Sequence, residues 1–175
     1  VARVRYRGKL SLYQARGHFQ LIARYPKLAG EGDLAAQFRK TRAKLEAEGL
    51  LDPSRRRDLP LLPRVVGVVT SRTGAALRDI MRVAAERCPV HILVADCRVQ
   101  GETAPASIVA ALELIQRVER LDAVIVARGG GSAEDLWAFN DEGVARAIAS
   151  CRVPIVSGVG HEVDITIADL VADVR

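Results

Sequence analysis

The most constraining feature of this sequence is the alternation, after residue 64, of short apolar runs with longer segments of helical pattern. Four runs have the length and composition of buried strands, at residues 65–70, 90–95, 123–127 and 153–157. The segments that follow them predict helices at residues 73–87, 104–120, 141–150 and 165–174. Strands that alternate with helices form right-handed crossovers. The pattern therefore predicts an α/β fold, a doubly wound parallel sheet of about four strands with flanking helices.

The third predicted strand ends in a glycine turn, which consists of Arg128, Gly129, Gly130, Gly131 and Ser132. Ser132 is a suitable N-cap for a helix that would begin at residues 133–135. Glycines let a ligand approach the backbone, and free N–H groups at a helix start favour an anion such as phosphate. Arg128 adds a permanent charge. The spacing is neither that of a dinucleotide-binding fold nor that of a P-loop, and a tight connection without a ligand is the alternative interpretation.

Ligands of parallel sheets bind at the carboxyl ends of the strands, near the point where the strand order reverses. We therefore expect three loops to converge on one edge, those after the first, third and fourth predicted strands. The first loop contains Ser71 and Thr73, and Asp79 follows in the next helix. The last loop contains His161 and Asp164. This convergence predicts a binding or catalytic site.

His161 and Asp164 are three residues apart, so that the carboxylate can orient the imidazole or stabilise its charge. A histidine near a phosphate-binding arginine is suited to general acid or base catalysis of phosphoryl transfer, in which Arg128 would neutralise charge in the transition state. The alternative is a histidine that caps a helix or packs. Asp79, Asp164 and His161 would also suit Mg²⁺ or Mn²⁺, although they form no tight ligand motif.

The positive charge of the chain is concentrated in its first third. Residues 1–64 hold 15 Lys and Arg against 6 Asp and Glu, whereas residues 65–175 hold 11 against 15, and the net charge is +5. This asymmetry suggests a polyanionic partner such as nucleic acid, the alternative being a solvated basic surface.

Residues 1–23 alternate with period two and predict two or three short strands, with Gly8 and Gly17 as breaks. Their aromatic residues, interleaved with arginines, suit the stacking of single-stranded bases in an oligonucleotide-binding barrel, although about half of them are expected in a core. A helix is then predicted from Asp33, as its cap, to Gly49. Residues 52–63 are rich in proline and arginine and predict a linker.

Several classes of protein are excluded or disfavoured. No apolar stretch is long enough to span a bilayer, and no signal-peptide pattern opens the chain, so a cytoplasmic location is expected. The cysteines, Cys88, Cys97 and Cys151, lack metal-ligand spacing and indicate reduced thiols without a chemical role. Because the chain begins and ends within a pattern, we expect it to be a fragment.

Four stretches together resemble one family. They are VGVVTSRTGAALRDI at 66–80, VQGETAP at 99–105, VARGGGSAEDLWAFNDE at 126–142 and VGHEVDITIADLVADVR at 159–175. With the helix at 32–52, they are similar to the large subunits of bacterial exodeoxyribonuclease VII over essentially the whole chain. The small departures are Val163, where threonine is common, and Gly158, where alanine is common, and neither removes a reactive group.

The resemblance implies an enzyme that hydrolyses single-stranded DNA from either end to oligonucleotides, in complex with several small subunits. It implies three regions: the end of an oligonucleotide-binding (OB-fold) domain at 1–30, a linking helix and basic linker at 31–63, and a catalytic domain at 64–175. A C-terminal helical region that recruits the small subunits would be absent. The residues that match the functional positions of the family are Asp79, Arg128, His161 and Asp164. It does not decide whether Mg²⁺ is required.

Two other functions stay open at this stage. One is a phosphate-binding or nucleotide-binding module that recognises single-stranded nucleic acid without cutting it, for which steep salt dependence without product would be diagnostic. The other, a dehydrogenase with a dinucleotide-binding fold, is disfavoured because the fingerprint glycines and the ribose-binding acid are absent.

Overall fold

The structure is a computed structural model that describes residues 4–13, 18–28, 31–130, 135–160 and 164–175. The chain divides into two compact units, Val1–Lys40 and Thr41–Arg175. None of the helices in these described ranges is both long enough and apolar enough to cross a membrane.

The first unit contains an antiparallel hairpin of strands β1 (Val4–Tyr13) and β2 (His18–Leu28). The predicted break at Gly8 is wrong, because Gly8 lies within β1 and its backbone stays paired with Ala23. The break predicted at Gly17 lies outside the described residues. That this hairpin belongs to an oligonucleotide-binding barrel stays a prediction.

Helix α1 spans Glu31–Ala47 and joins the two units. Asp33 is the third residue of α1, which begins at Glu31, so the prediction that Asp33 caps this helix is wrong. Gly49 ends the helix as predicted, with φ +74°. Leu45, in the last turns of α1, is fully buried.

The second unit is built on a sheet of four parallel strands in the order β4-β3-β5-β6. The strands are β3 (Val65–Thr70), β4 (His91–Asp96), β5 (Ala123–Arg128) and β6 (Ile155–Val159). The predicted α/β class is therefore confirmed. The strand order reverses between β3 and β5, which places the switch point between the loops that follow those two strands.

Four helices connect or follow these strands: α2 (Ala75–Arg87), α3 (Ala104–Ile115), α4 (Glu142–Ala149) and α5 (Ile167–Val171). The last helix is shorter than predicted because Asp173 and Val174 bond to the backbone of β6 and leave the helical path. The helix start predicted at residues 133–135, with Ser132 as its N-cap, lies largely outside the described residues; the described segment that follows, Trp137–Asn140, forms a 3₁₀ helix.

The helices cover the two faces of the sheet differently. On one face the side chains of α3, α4 and α5 build the main core, which includes Ile108, Leu112, Phe139 and Val144. Gly67 in β3 faces this layer, and a Cβ there would lie 2.6 Å from Ile115 Cδ1, so the helix packs close to the strand. On the other face α2 leaves an apolar groove of about 600 Å³.

The segment predicted as a linker is bound to the amino edge of this sheet. Arg57 donates to both carboxylate oxygens of Asp173, and its Nη1 donates to the carbonyl oxygen of Cys151 at 2.6 Å. Asp173 in turn accepts from the backbone N–H of Ile155 at the start of β6. The division of the chain into functional regions at 1–30, 31–63 and 64–175 stays a prediction.

Candidate functional site

A cavity of about 430 Å³ lies at the carboxyl edge of the sheet, beside the switch point. Three loops contribute to it, those after β3, β4 and β5. Its polar or glycine lining includes Ser71, Thr73, Gly74, Arg98, Gln100, Arg128, Gly129 and Gly130. The structure therefore brings together five residues that the sequence analysis proposed for one site, namely Ser71, Thr73, Arg128, Gly129 and Gly130.

Arg128 is the last residue of β5, and its side chain is only 8% exposed. The preceding residues of β5 are apolar and mostly buried between two layers. Because Arg128 continues this strand, its side chain also lies inside the protein. Its Nη2 donates to Gln100 Oε1 at 3.2 Å and lies 3.4 Å from Asp135 Oδ2. One side of the guanidinium is thus held by a neutral amide and a carboxylate.

The other side of the guanidinium is not satisfied. Arg128 Nη1 is buried and has no hydrogen-bond partner among the residues that the structure describes. A buried donor without an acceptor destabilises a fold, and a charged donor does so most strongly. Next to a cavity, such a donor is suited to bind a ligand that supplies an acceptor, and an anion suits it best because the guanidinium carries a permanent positive charge.

Gly129 leaves space beside this donor. No described atom lies within 4 Å of the position that a Cβ of Gly129 would occupy. The backbone there is open to the cavity, so that a bulky anion can approach the N–H groups of the turn. Gly131 and Ser132, which the sequence analysis also assigned to this turn, lie outside the described residues.

Two hydroxyl groups line the same cavity as Arg128, on the loop between β3 and α2. Ser71 Oγ and Thr73 Oγ1 are 3.2 Å apart, and the N-cap of α2 is Gly74, which has no side chain to satisfy the first N–H groups of the helix. The loop is held by Asp96 at the end of β4, whose Oδ1 accepts from Arg72 N at 2.8 Å. Hydroxyls and an uncapped helix start add donors to the cavity.

The loop after β6 approaches the same edge. Gly160 donates from its backbone N–H to the carbonyl oxygen of Arg128 at 3.3 Å, and its φ of +69° turns the chain sharply. Asp164 Cβ is 3.2 Å from the position of a Cβ on Gly160. Asp164 therefore lies against the turn that leaves β6. The proposed general acid or base, His161, lies outside the described residues.

The structure does not bring Asp79 to this cavity. The Asp79 side chain is 67% exposed on α2, pairs with Arg82 at 3.3 Å, and lines the apolar groove between α2 and the sheet. Within the described part of the chain, no group of three His, Cys, Asp or Glu side chains is arranged to hold a metal ion. A role for Asp79 and Asp164 in binding Mg²⁺ thus stays a prediction from the sequence.

Conspicuous polar residues between the glycine turn and β6 serve the architecture. Asp141 caps α4 by accepting from Gly143 N and Val144 N. Asn140 Oδ1 accepts from Ile167 N, the first residue of α5. These bonds stabilise the starts of α4 and α5, so Asn140 and Asp141 have structural roles.

Cys97 lies next to the cavity but is unsuited to react. It is buried at the end of β4, and burial, assisted by the nearby charge of Asp96, raises the pKa of its thiol to about 11. At neutral pH the group is a protonated thiol, which is a poor nucleophile.

Two residues of the cavity, Arg98 and Gln100, were not predicted from the sequence. Both lie on the loop after β4, which was not among the three loops expected to converge. The signal was available, because this loop also leaves the carboxyl end of a parallel strand and lies next to the switch point. Arg98 Nη1 donates to Thr103 Oγ1 at 3.1 Å, which holds the loop against the start of α3.

Comparison with known proteins gives a consistent family. Residues 50–175 match the model of the family described as exonuclease VII, large subunit. Three curated relatives, each named exodeoxyribonuclease 7 large subunit, come from Hahella chejuensis, Azotobacter vinelandii and Legionella pneumophila. They are 56%, 54% and 52% identical to this chain over 98%, 98% and 96% of its length.

The match is confined to a part of those relatives. The chain spans about two fifths of the length of the curated relatives it matches, 39% of the first and 38% of the other two.

Proposed function

Because this chain belongs to the family of exonuclease VII large subunits, we propose that it carries the phosphodiester-hydrolysing site of an enzyme that degrades single-stranded DNA. The observation that carries the proposal is the buried guanidinium of Arg128, whose Nη1 has no acceptor in the described structure, beside an open glycine at the switch point. A backbone phosphate of DNA is an anion that such a site would accept.

The scissile phosphate binds between Arg128 and the glycine turn. Nη1 of Arg128 donates to a non-bridging oxygen, and the N–H groups of Gly129 and Gly130 face the same group. Ser71 and Thr73, which line the same cavity, also bind it. Since these donors are held before the substrate arrives, they stabilise the charge that accumulates on phosphorus oxygens in the transition state.

Hydrolysis replaces one ester oxygen on phosphorus with the oxygen of water. The water oxygen forms a bond to phosphorus, the bond to the leaving sugar oxygen breaks, one proton leaves the water and one proton reaches the leaving oxygen. His161 moves a proton in this step, and Asp164 orients or charge-stabilises its imidazole. Asp79 takes no part in this step, because its side chain lines the groove beside α2; Asp79 and Asp164 are the residues that the sequence proposes as ligands for Mg²⁺ if the enzyme uses that ion.

The remaining assignments concern the whole enzyme. The basic first third of the chain delivers a single strand to the site, and the products are oligonucleotides released from either end. The large subunit works in the cytoplasm with several small subunits, which bind it through a region outside this chain.

The test uses a complete large subunit that contains this chain, co-expressed with a small subunit. End-labelled single-stranded and duplex DNA are incubated with wild-type protein and with His161→Ala, with and without EDTA. His91→Ala is the matched control, because His91 is an exposed histidine at the amino end of β4, away from the cavity. We expect cleavage of single strands by the wild type and the control, and its loss in His161→Ala.

The other outcomes have definite meanings. Equal cleavage by His161→Ala would move the proton transfer to another residue. Binding of single strands without cleavage by the wild type, with steep salt dependence, would replace the nuclease with a binding module. The lanes with EDTA decide the requirement for a metal.

A further inference from the structure

Gln100 is the residue of the cavity whose role neither the motifs nor the family assigns. It lies on the loop after β4, it lines the 430 Å³ cavity, and its Oε1 accepts from Arg128 Nη2 at 3.2 Å. An exposed glutamine on one loop thus holds a buried arginine that belongs to a different strand.

The chemistry of the pair fixes the orientation of the Gln100 amide. A guanidinium has only donors, so the atom that faces Arg128 must be the amide oxygen and not the amide nitrogen. The amide nitrogen, Nε2, consequently points away from Arg128. Among the described residues, Nε2 has no hydrogen-bond acceptor, and its two N–H groups are available to a ligand in the cavity.

Gln100 also differs from the second partner of Arg128. Asp135 lies 3.4 Å from the same Nη2 and neutralises part of its charge. A carboxylate facing the cavity would repel a phosphate, whereas an amide accepts from the arginine with one atom and donates with the other. Gln100 is therefore the partner whose chemistry suits contact with an anion.

Resting on the proposed function, we propose that Gln100 binds the phosphodiester of single-stranded DNA together with Arg128. Its Oε1 holds Nη2, which keeps Nη1 directed to the phosphate, and its Nε2 donates to a phosphate oxygen. Gln100 is thus both a positioning residue for Arg128 and a contact to the substrate.

The test compares Gln100→Glu with Gln100→Met in the complete large subunit with its small subunit. Glutamate keeps an acceptor for Arg128 but replaces the donor with a negative charge, and methionine removes both groups at similar size. Arg117→Gln is the matched control, since it makes the same change of one charge unit at an exposed position near the opposite edge. Affinity for a fluorescent single strand is measured by anisotropy, alongside kcat and KM for cleavage.

We expect Gln100→Met to weaken binding about 10-fold and Gln100→Glu to weaken it about 100-fold, the range for loss of a hydrogen bond to a charged group. Both variants should unfold at the wild-type temperature, because Gln100 is exposed. In an Arg128→Ala background the effect of Gln100→Met should shrink, because the positioning role is lost with its target. Arg117→Gln should bind as the wild type does.

Stronger binding by Gln100→Glu than by Gln100→Met would overturn the phosphate contact. An unchanged effect of Gln100→Met in the Arg128→Ala background would overturn the positioning role. Wild-type behaviour of both Gln100 variants while Arg128→Ala loses binding would refute the inference and leave the proposed function intact. Full binding and cleavage by Arg128→Ala would instead refute the central assignment of the proposed function.

Discussion

Two arginines, Arg57 and Arg128, lie at opposite edges of the same sheet and differ in how their donors are satisfied. At the amino edge, the Nε and Nη2 of Arg57 donate to Asp173, and Nη1 donates to the carbonyl oxygen of Cys151. At the carboxyl edge, Arg128 is more deeply buried, yet its Nη1 has no partner in the described structure. A satisfied guanidinium stabilises the fold, and an unsatisfied one keeps its binding capacity for a ligand.

The pKa values at the amino edge agree with a structural role. The hydrogen bond with Asp173 raises the pKa of Arg57. Burial alone would raise the pKa of Asp173, but its bonds from Arg57 and from Ile155 N outweigh burial and lower it. Each partner stabilises the charged form of the other, so this ion pair attaches the segment at 52–63 to β6.

The largest effect expected is on catalysis, at Arg128. We expect Arg128→Ala in the complete enzyme to lower kcat/KM for single-stranded DNA by about 100-fold to 1,000-fold, the usual result of removing a preorganised charge-stabilising donor. The free energy of unfolding should change little, because the wild-type group is incompletely bonded. A parallel assay of cleavage and urea unfolding checks both points. If the variant unfolded much more easily at unchanged activity, the role of Arg128 would be structural, like that of Arg57.

The next effect is on stability, at Arg57. We expect Arg57→Ala to lower the free energy of unfolding by about 3 kcal/mol, because it leaves the nearly buried carboxylate of Asp173 without its charged partner. Cleavage per folded molecule should be unchanged. Urea unfolding of the 175-residue chain measures the first quantity, with exposed Arg117→Ala as the control. A decrease in the free energy of unfolding no larger than that of the control would show that the ion pair at the amino edge does not stabilise the fold.

The smallest effect is a pH dependence at the amino edge. Because the folded pKa of Asp173 lies below its ordinary value of 3.8, its contribution to stability is present above that pH and is lost as the pH falls through the lowered folded pKa. The stability difference between the wild type and Asp173→Asn should therefore be largest near neutral pH and shrink in acid. Urea unfolding from pH 7 to pH 2.5 follows this difference. A constant difference across the range would mean that the pKa of Asp173 is the same in the folded and the unfolded chain, so that its contacts do not favour the ionised form.

Local pattern predicted most of the sheet, and long-range contacts decided the parts that were missed. The strand at 65–70 was predicted to the residue, because a β-branched apolar run has few ways to be buried except inside a sheet. The helix predicted to reach residue 174 ends at Val171, since Asp173 is drawn to Arg57 and to β6, which are distant in sequence. The periodicity of the helical segment gives no information about these long-range bonds.

The same distinction holds for the candidate site. Arg128 and its glycines were predicted because a strand, an arginine and a glycine run are adjacent in sequence. Gln100 was missed, since the sequence does not show its bond to Arg128, a residue 28 positions away. Asp79 was assigned to the site from its place after the first strand, but the turn of α2 carries its side chain to the apolar groove on that side of the sheet.

Short-range hydrophobic periodicity and the backbone freedom of glycine were enough to predict the α/β class, the order of strands and helices along the chain, and the glycine turn that follows β5. The strand order that creates the switch point depends on contacts between residues that are distant in sequence, and so does the question of which donors of Arg57 and Arg128 are satisfied. Hydrogen-bond partners are assigned in space, and a guanidinium with an acceptor is indistinguishable in sequence from one without.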